Sequence, residues 1–398
     1  MPQLRTVRSG MSLDSILFEL SLIVVGAATV GTLFLYARQP MLLAYIAIGC
    51  AVGPNGFALI PSTDHIAEIA HFGVILLLFL IGLHLQPLKL LRLFRKTAIL
   101  TCTTSAIFAV ASLLFAFLLG FDSHSAVVFG VAMMFSSTVV GLKLVPTTTL
   151  HHKRTGEVMT SVLLLQDVMA ILVILFVSGE RSDNVLLTFA LLAGKFVLLC
   201  LFSFAGVRYI TLPLLRRFDV VQEYSFILTL GWCMLWAEIA HLLGLSYEMG
   251  AFVAGLSIAS CKVALVIAER LKPLREFFLI LFFFAVGAEM DLSLRATLLV
   301  PALLFGTAIV PLKAGVFRVA FQKSGETASL SRELAVRLAQ SSEFSLLVVF
   351  AAVSIGALTP EYAMVIKIAT IVTFVVSTYW VVMTYPTPIS ARSALRRD

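Results

Sequence analysis

The stretch FSSTVVGLKLV, Phe135 to Val145, and its later echo SSEFSLLVVF, Ser341 to Phe350, decide the fold. Each sets a cluster of polar side chains inside an otherwise apolar run, and Ser136 and Ser341 stand 205 positions apart. Two further segments recur at nearly the same distance. FLIGLHL from Phe79 matches FAVGAEM from Phe284, aligning Gly82 with Gly287, and AYIAIGCAVG from Ala44 matches GAFVAGLSIA from Gly250 at 206. Apolar segments resemble one another by composition, but one offset shared by three of them marks an internal repeat.

The chain around these segments has 398 residues, 60% hydrophobic and 13% charged, with a mean hydropathy of +1.02. Soluble domains carry roughly a quarter charged residues. Here the apolar residues fall in blocks of about 20, enough to cross a hydrocarbon core of roughly 30 Å as helices. Runs such as GVILLLFLIGL (Gly73 to Leu83) and FFLILFFFAVG (Phe277 to Gly287) lack the alternation of a barrel strand. The reading is an all-α polytopic membrane protein of about 13 transmembrane helices, near 15–37, 40–60, 67–86, 97–120, 124–146, 157–178, 184–212, 223–243, 247–261, 274–291, 295–321, 332–356 and 361–384.

In that count the second, third and fifth spans match the ninth, tenth and twelfth, each seven spans later. Because seven is odd, the two halves lie in opposite orientation, the inverted repeat of many secondary transporters. The chain divides into a lead over 1–14, a first transmembrane half with a linker helix over 15–213, an inverted second half over 214–385 and a cytoplasmic tail over 386–398.

Alternate connections are basic: Arg92, Arg95 and Lys96; Lys153 and Arg154; Arg216 and Arg217; Lys262, Arg270 and Lys272; Lys323 and Arg332. By the positive-inside rule the N-terminus is outside and the C-terminus cytoplasmic, in the cell's inner (plasma) membrane. The same pattern accounts for the net charge of +7 and argues against a nucleic-acid partner; the surrounding partner is membrane lipid. The first apolar block reads as a retained span rather than a signal peptide. Five cysteines without CxxC spacing read as small buried apolar residues.

An ionisable group in mid-membrane costs several kcal/mol, so each one inside a span is a functional candidate. Asp167 leads, with Gln166 beside it in SVLLLQDVMAILVILF. Ser136, Ser137 and Thr138 interrupt one span, and Ser341, Ser342 and Glu343 interrupt its repeat mate, as expected of two crossed discontinuous helices that meet near the midplane and offer oxygen ligands. Lys313, two residues after Pro311, and Glu343 are supporting buried charges; they could neutralise one another, or Lys313 could pair with Asp167. Other charges carry less weight: Glu238 reads as facing a bundle crevice or the dimer surface, Glu289 and Asp291 as solvated at the outer end of the tenth span, Lys143, Lys195 and Lys367 as snorkelling towards an interface, and Glu19 as partly wet near the outer end of the first span. The chain contains no Walker A loop, GxSxG elbow, HExxH or dinucleotide fingerprint, so no enzymatic cofactor is expected and an ion gradient is the expected energy source.

QPMLLAYIAIGCAVGPNG from Gln39, GVILLLFLIGL, FSSTVVGLKL, LLLQDVMAI from Leu163, FFFAVGAEMDL from Phe282 and SSEFSLLVVF together resemble the cation/proton antiporter-2 family, specifically the membrane domain of Kef-type potassium/proton antiporters. That resemblance implies a sodium/proton-antiporter-like fold, a homodimer, and a monovalent cation and a proton competing for Asp167. Gln166 and Asp167 are similar to the potassium-exchanging branch, where sodium-exchanging relatives tend to carry two acids or Asn-Asp. Crossing helices are implied at Ser136–Val140 and Ser341–Ser345, with the family's buried lysine at Lys313 and its second acid at Glu343. His84 stands where relatives often carry an acid, and the cytoplasmic nucleotide-binding domain of Kef-type proteins would be separate or missing. Sodium/proton exchange is the alternative; a cation channel without proton coupling and an organic-anion symporter are more distant ones, since no TVGYG-like loop is present and Asp167 would repel an anion.

Overall fold

The computed structural model describes residues 16–61, 64–84, 87–146, 154–178, 185–218, 221–259, 261, 264–290 and 296–390. The lead over 1–14 and the tail beyond Ser390 lie outside them. All the regular structure described is helical except an isolated bridge at Thr387. Among the described residues eight helical stretches are long and apolar enough to cross a membrane, one of them, Ser123–Lys143, counted across a break, and four shorter apolar helices accompany them.

The first helices are α1 (Ile16–Tyr36), α2 (Met41–Val52), α3 (Asp64–His84) and α4 (Pro87–Leu118). They are followed by α5 (Ser123–Met133), α6 (Thr138–Lys143), α7 (Arg154–Ser178) and α8 (Val185–Gly206). A π-helical turn (Val207–Thr211) leads into α9 (Leu212–Arg217), then α10 (Gln222–Leu242), α11 (Tyr247–Ala259) and α12 (Ala264–Ala288). The last are α13 (Ala296–Lys323), α14 (Ala328–Arg337), α15 (Glu343–Ser354) and α16 (Pro360–Thr384).

Most helix ends fall within a few residues of the sequence-derived spans, with two informative departures. The basic residues expected in connections after the third and ninth spans mostly lie on helix: α4 begins at Pro87 and carries Arg92, Arg95 and Lys96, and α12 begins at Ala264 and carries Arg270 and Lys272. Lysine and arginine are good helix formers, so a helix need not stop where its apolar stretch does. The spans read at 124–146 and 332–356 are each two helices separated by extended residues.

The chain forms two compact units. One comprises residues 1–74 and 274–293, the other 75–273 and 294–398. In the first, α1 lies on α2 with Gly26 against Ile48, and a Cβ on Gly49 would come within 2.2 Å of the Phe284 carbonyl oxygen. Reciprocally, Gly287 meets the Ile46 carbonyl. Glu19, expected to be partly wet, is 4% exposed because it shares the packed face of Ile23 and Ala27 on α1.

In the second unit, Gly255 on α11 meets the Phe79 carbonyl on α3, and Gly82 meets that of Phe252. These two contacts repeat the Gly49 and Gly287 contacts of the first unit, with residues equivalent at the 205 and 206 offsets read from the sequence: Gly49 with Gly255, Gly82 with Gly287, Phe79 with Phe284 and Ile46 with Phe252. Small residues let helix backbones approach closely where no hydrophobic force drives them together. Elsewhere in this unit, Phe108 packs edge-on to Phe317 and Phe121 stacks on Tyr362.

Candidate cation and proton site

The site lies wholly within the second unit and begins with two broken helices. Asp122 opens α5 by accepting from the backbone N–H groups of His124 and Ser125, each 3.1 Å away. A hydrogen bond from the Ser125 side chain, together with these backbone bonds, holds the exposed Asp122 carboxyl below the usual carboxylate range. Four residues past the end of α5, Ser137 caps α6 by accepting from Val140 N at 2.9 Å. Hydroxyl side chains compete for backbone hydrogen bonds, which is why SST stops one helix and starts another. In the second half Ser342 caps α15, accepting from Phe344 N at 3.1 Å, and Ser345 completes the capping box.

The two breaks are hydrogen-bonded to each other. Ser136 Oγ donates to the Leu338 carbonyl (2.7 Å), Ser345 Oγ to that of Ala132 (2.6 Å), and Gln340 Nε2 to that of Ser137 (3.3 Å). Glu343, 3% exposed, accepts from Val139 N at 3.1 Å and from the Ser137 hydroxyl, so its carboxylate takes donors that the short helix leaves unpaired at its start. Lys313, fully buried, extends its Nζ to the carbonyls of Phe135 (2.6 Å), Gln340 (3.2 Å) and Met133 (3.4 Å), with the Phe108 ring centroid 5.1 Å away. Neither Asp167 nor Glu343 is among its hydrogen-bond partners. A positive group at carbonyls freed by broken helices and a negative one at freed N–H groups complement both kinds of helix end.

Asp167 sits on α7, 1% exposed, one residue on from Gln166. Thr138 Oγ1 lies 2.9 and 3.0 Å from its two carboxylate oxygens and donates between them. Three consecutive residues at the start of α6, Ser137 to Val139, thus carry two buried carboxylates, Asp167 on Thr138 and Glu343 on its neighbours. Gln166 is committed at both ends: its Oε1 accepts from Ser136 N at 3.0 Å and its Nε2 donates to Ser105 Oγ on α4 at 3.3 Å. Ser341 N donates to Thr373 Oγ1 at 2.9 Å, while Ser341 Oγ is buried without a hydrogen-bond partner among the described residues.

All nine residues singled out in the sequence therefore belong to one hydrogen-bonded region. Sequence reasoning missed Ser105, Gln340, Thr373 and Ser377, the last donating to Gln340 Oε1 at 3.1 Å. A signal existed for α16, since Thr370, Thr373 and Ser377 recur at helical spacing and are fully buried. Of the cysteines only Cys233 is fully buried, Cys102 is exposed on α4, and all five are free. Among the described residues no group of three or more His, Cys, Asp or Glu could hold a metal ion. Hydroxyl, carbonyl and carboxylate oxygens around Asp167 are hard ligands that suit an alkali cation rather than a soft transition metal.

Comparison with known proteins shows the family to which the chain belongs. Residues 21–385 match the family model described as sodium/hydrogen exchanger, transmembrane. A protein named iron transporter MagA, from Paramagnetospirillum magneticum, is 29% identical over 90% of this chain and 83% of its own length. The glutathione-regulated potassium-efflux system protein KefC of an Enterobacter species is 32% identical over 82% of this chain and that of Escherichia coli K12 is 30%; the chain spans 54% of each. Among solved structures, the sodium proton antiporter MjNhaP1 of Methanocaldococcus jannaschii superposes with a TM-score of 0.65 at 17% identity, covering 92% of this chain and 95% of that one, which shows a shared fold. The chain is a multi-pass membrane protein of the sodium/hydrogen exchanger family, and its resemblance is to the membrane domain of Kef-type cation/proton antiporters.

Proposed function

We propose that this protein exchanges a monovalent cation, potassium in preference to sodium, for protons by alternating access, with cation and proton competing for Asp167. The observation that carries the reading is the Asp167 carboxylate itself: 1% exposed on a membrane-length helix, met by the Thr138 hydroxyl, with Lys313 engaged at backbone carbonyls instead. A buried carboxylate without a basic partner is costly unless a proton or a cation neutralises it. Competition for one acid then couples the two fluxes, because the protonated form cannot hold the cation.

The oxygen shell is supplied by Asp167, Thr138 and the hydroxyls and carbonyls of the two breaks, Ser136, Ser137, Ser341 and Ser342 among them. In this reading the breaks are two crossed discontinuous helices within 13 spans arranged as an inverted repeat, the N-terminus is outside, and the protein is a homodimer in lipid that needs no cofactor. Potassium is favoured because Gln166 stands where a second acid would and because KefC relatives are named for potassium efflux. Sodium/proton exchange remains the second reading, favoured by the fold shared with a sodium proton antiporter.

The test is proton movement in proteoliposomes on addition of potassium, rubidium, sodium or lithium at fixed pH. Potassium and rubidium are expected to dissipate an imposed proton gradient more strongly than sodium or lithium. Cation flux that is indifferent to the proton gradient would instead establish a channel.

A further inference from the structure

Arg337, at the end of α14, is 2% exposed and reaches two parts of the chain besides its own helix, the end of α6 and the segment after α16. Its Nη1 donates to the carbonyl of Leu144, the residue that ends α6, at 3.0 Å. Its Nη2 donates to the carbonyl of Pro386, just past α16, at 2.9 Å, and its guanidinium lies 5.6 Å from the Tyr385 ring centroid. Nε donates to Glu333 at 3.0 Å, which leaves the two terminal nitrogens aimed at the carbonyls. The segment held in this way is folded back on its helix: Tyr385 N donates to the Val381 carbonyl, Ser390 Oγ to that of Val382, and Thr387 is fully buried.

α6 has six residues, far below the length at which a helix sustains itself, so its placement is fixed by what grips its ends. Glu343 grips the start, beside Thr138, and Arg337 grips the finish, about 10 Å further on at the helical rise. A planar guanidinium can fork to two separate carbonyls in a way a lysine ammonium cannot reproduce. We propose that Arg337 is a positioning residue that straps the polypeptide leaving α16 to α6, and thereby sets how Thr138 is presented to Asp167. A displacement of the segment after α16 is passed through Arg337 to the ion site, whatever chain or partner lies beyond Ser390. The effect on transport rests on the exchange reading above; the strap itself does not.

Two measurements on the full chain decide it. In proteoliposomes, Arg337→Met raises the apparent KM for potassium about tenfold with a smaller change in maximal rate, and Arg337→Lys gives an intermediate rise. Combined with Thr138→Ala, Arg337→Met raises KM no further than Thr138→Ala alone, since both act through one contact. Inserting two glycines after Tyr385, which shifts Pro386 without touching Arg337, reproduces the Arg337→Met effect. In parallel, deuterium uptake by residues 138–146 rises in Arg337→Met and in the insertion variant. Unchanged KM with only a lower melting temperature, or a KM effect that multiplies with that of Thr138→Ala, overturns the proposal. If the unaltered protein exchanges no cation for protons, the antiport reading falls, and uptake at 138–146 alone decides the strap, unchanged uptake refuting it.

Discussion

Replacing Gly255 by alanine tests whether the repeated glycine contacts set the packing. A Cβ there would lie 2.0 Å from the Phe79 carbonyl oxygen and 3.0 Å from Leu83 N, both backbone atoms that no rotamer change can move. Carbon and carbonyl oxygen normally approach to about 3.3 Å, so α11 and α3 must separate by roughly 1.3 Å locally. Overpacking of this kind costs about 1–3 kcal/mol, and a rigid backbone obstacle puts Gly255→Ala near the upper end. Thermal unfolding in detergent should register a fall of several degrees. Gly231 and Gly315 are the controls: both are helical, and a Cβ on either meets nothing within 4 Å. Alanine there should be neutral or stabilising by up to about 1 kcal/mol, from propensity alone. Equal melting temperatures for Gly255→Ala and Gly231→Ala would refute the reasoning.

Gln166→Leu removes the acceptor of Ser136 N and the donor to Ser105, and should cost about 2 kcal/mol and slow exchange without altering the order of cation preference; a changed order in the cation panel would make Gln166 a ligand. Lys313→Met strips the shared donor from three buried carbonyls and should destabilise by about 3 kcal/mol in a detergent melt, a loss that a neutral but hydrogen-bonding Lys313→Gln partly restores. For pH the sign follows from competition: as pH falls, protons occupy more of Asp167, so the apparent KM for the cation rises, by about tenfold per unit in the limit, at constant maximal rate. A maximal rate that falls at constant KM would place the titrating group elsewhere.

Much of the architecture was legible because a bilayer imposes a narrow grammar on sequence. Asp167 stood out as an acid deep inside an apolar run, and the hydroxyl clusters at Ser136 and Ser341 announced helix breaks because serine and threonine bond to nearby backbone. The offset of 205 located both, and the glycine contacts at Gly49, Gly82, Gly255 and Gly287 recur at the same register. What the sequence left open was the partner of each polar group. Lys313 reads as an ion-pair candidate when charges alone are counted, yet its contacts are carbonyls, which every residue carries and no sequence distinguishes. Gln166 invited a role as a ligand by its position beside Asp167, but successive residues on a helix point in different directions, and its amide turns to Ser136 and Ser105. Arg337 was overlooked for the opposite reason. An arginine six residues into the span read at 332–356 looks like a membrane-edge charge, and only the return of the chain after α16 gives it a second carbonyl to hold.

The central claim is that one carboxylate serves both ions, and Asp167→Asn examines it most directly because the amide keeps the side chain's shape and can still bond to Thr138. In proteoliposomes with an imposed proton gradient, the account predicts that potassium no longer moves protons through the Asn variant, while its melting temperature and gel-filtration profile match those of the unaltered protein. Retained potassium-dependent proton movement in that variant would contradict it.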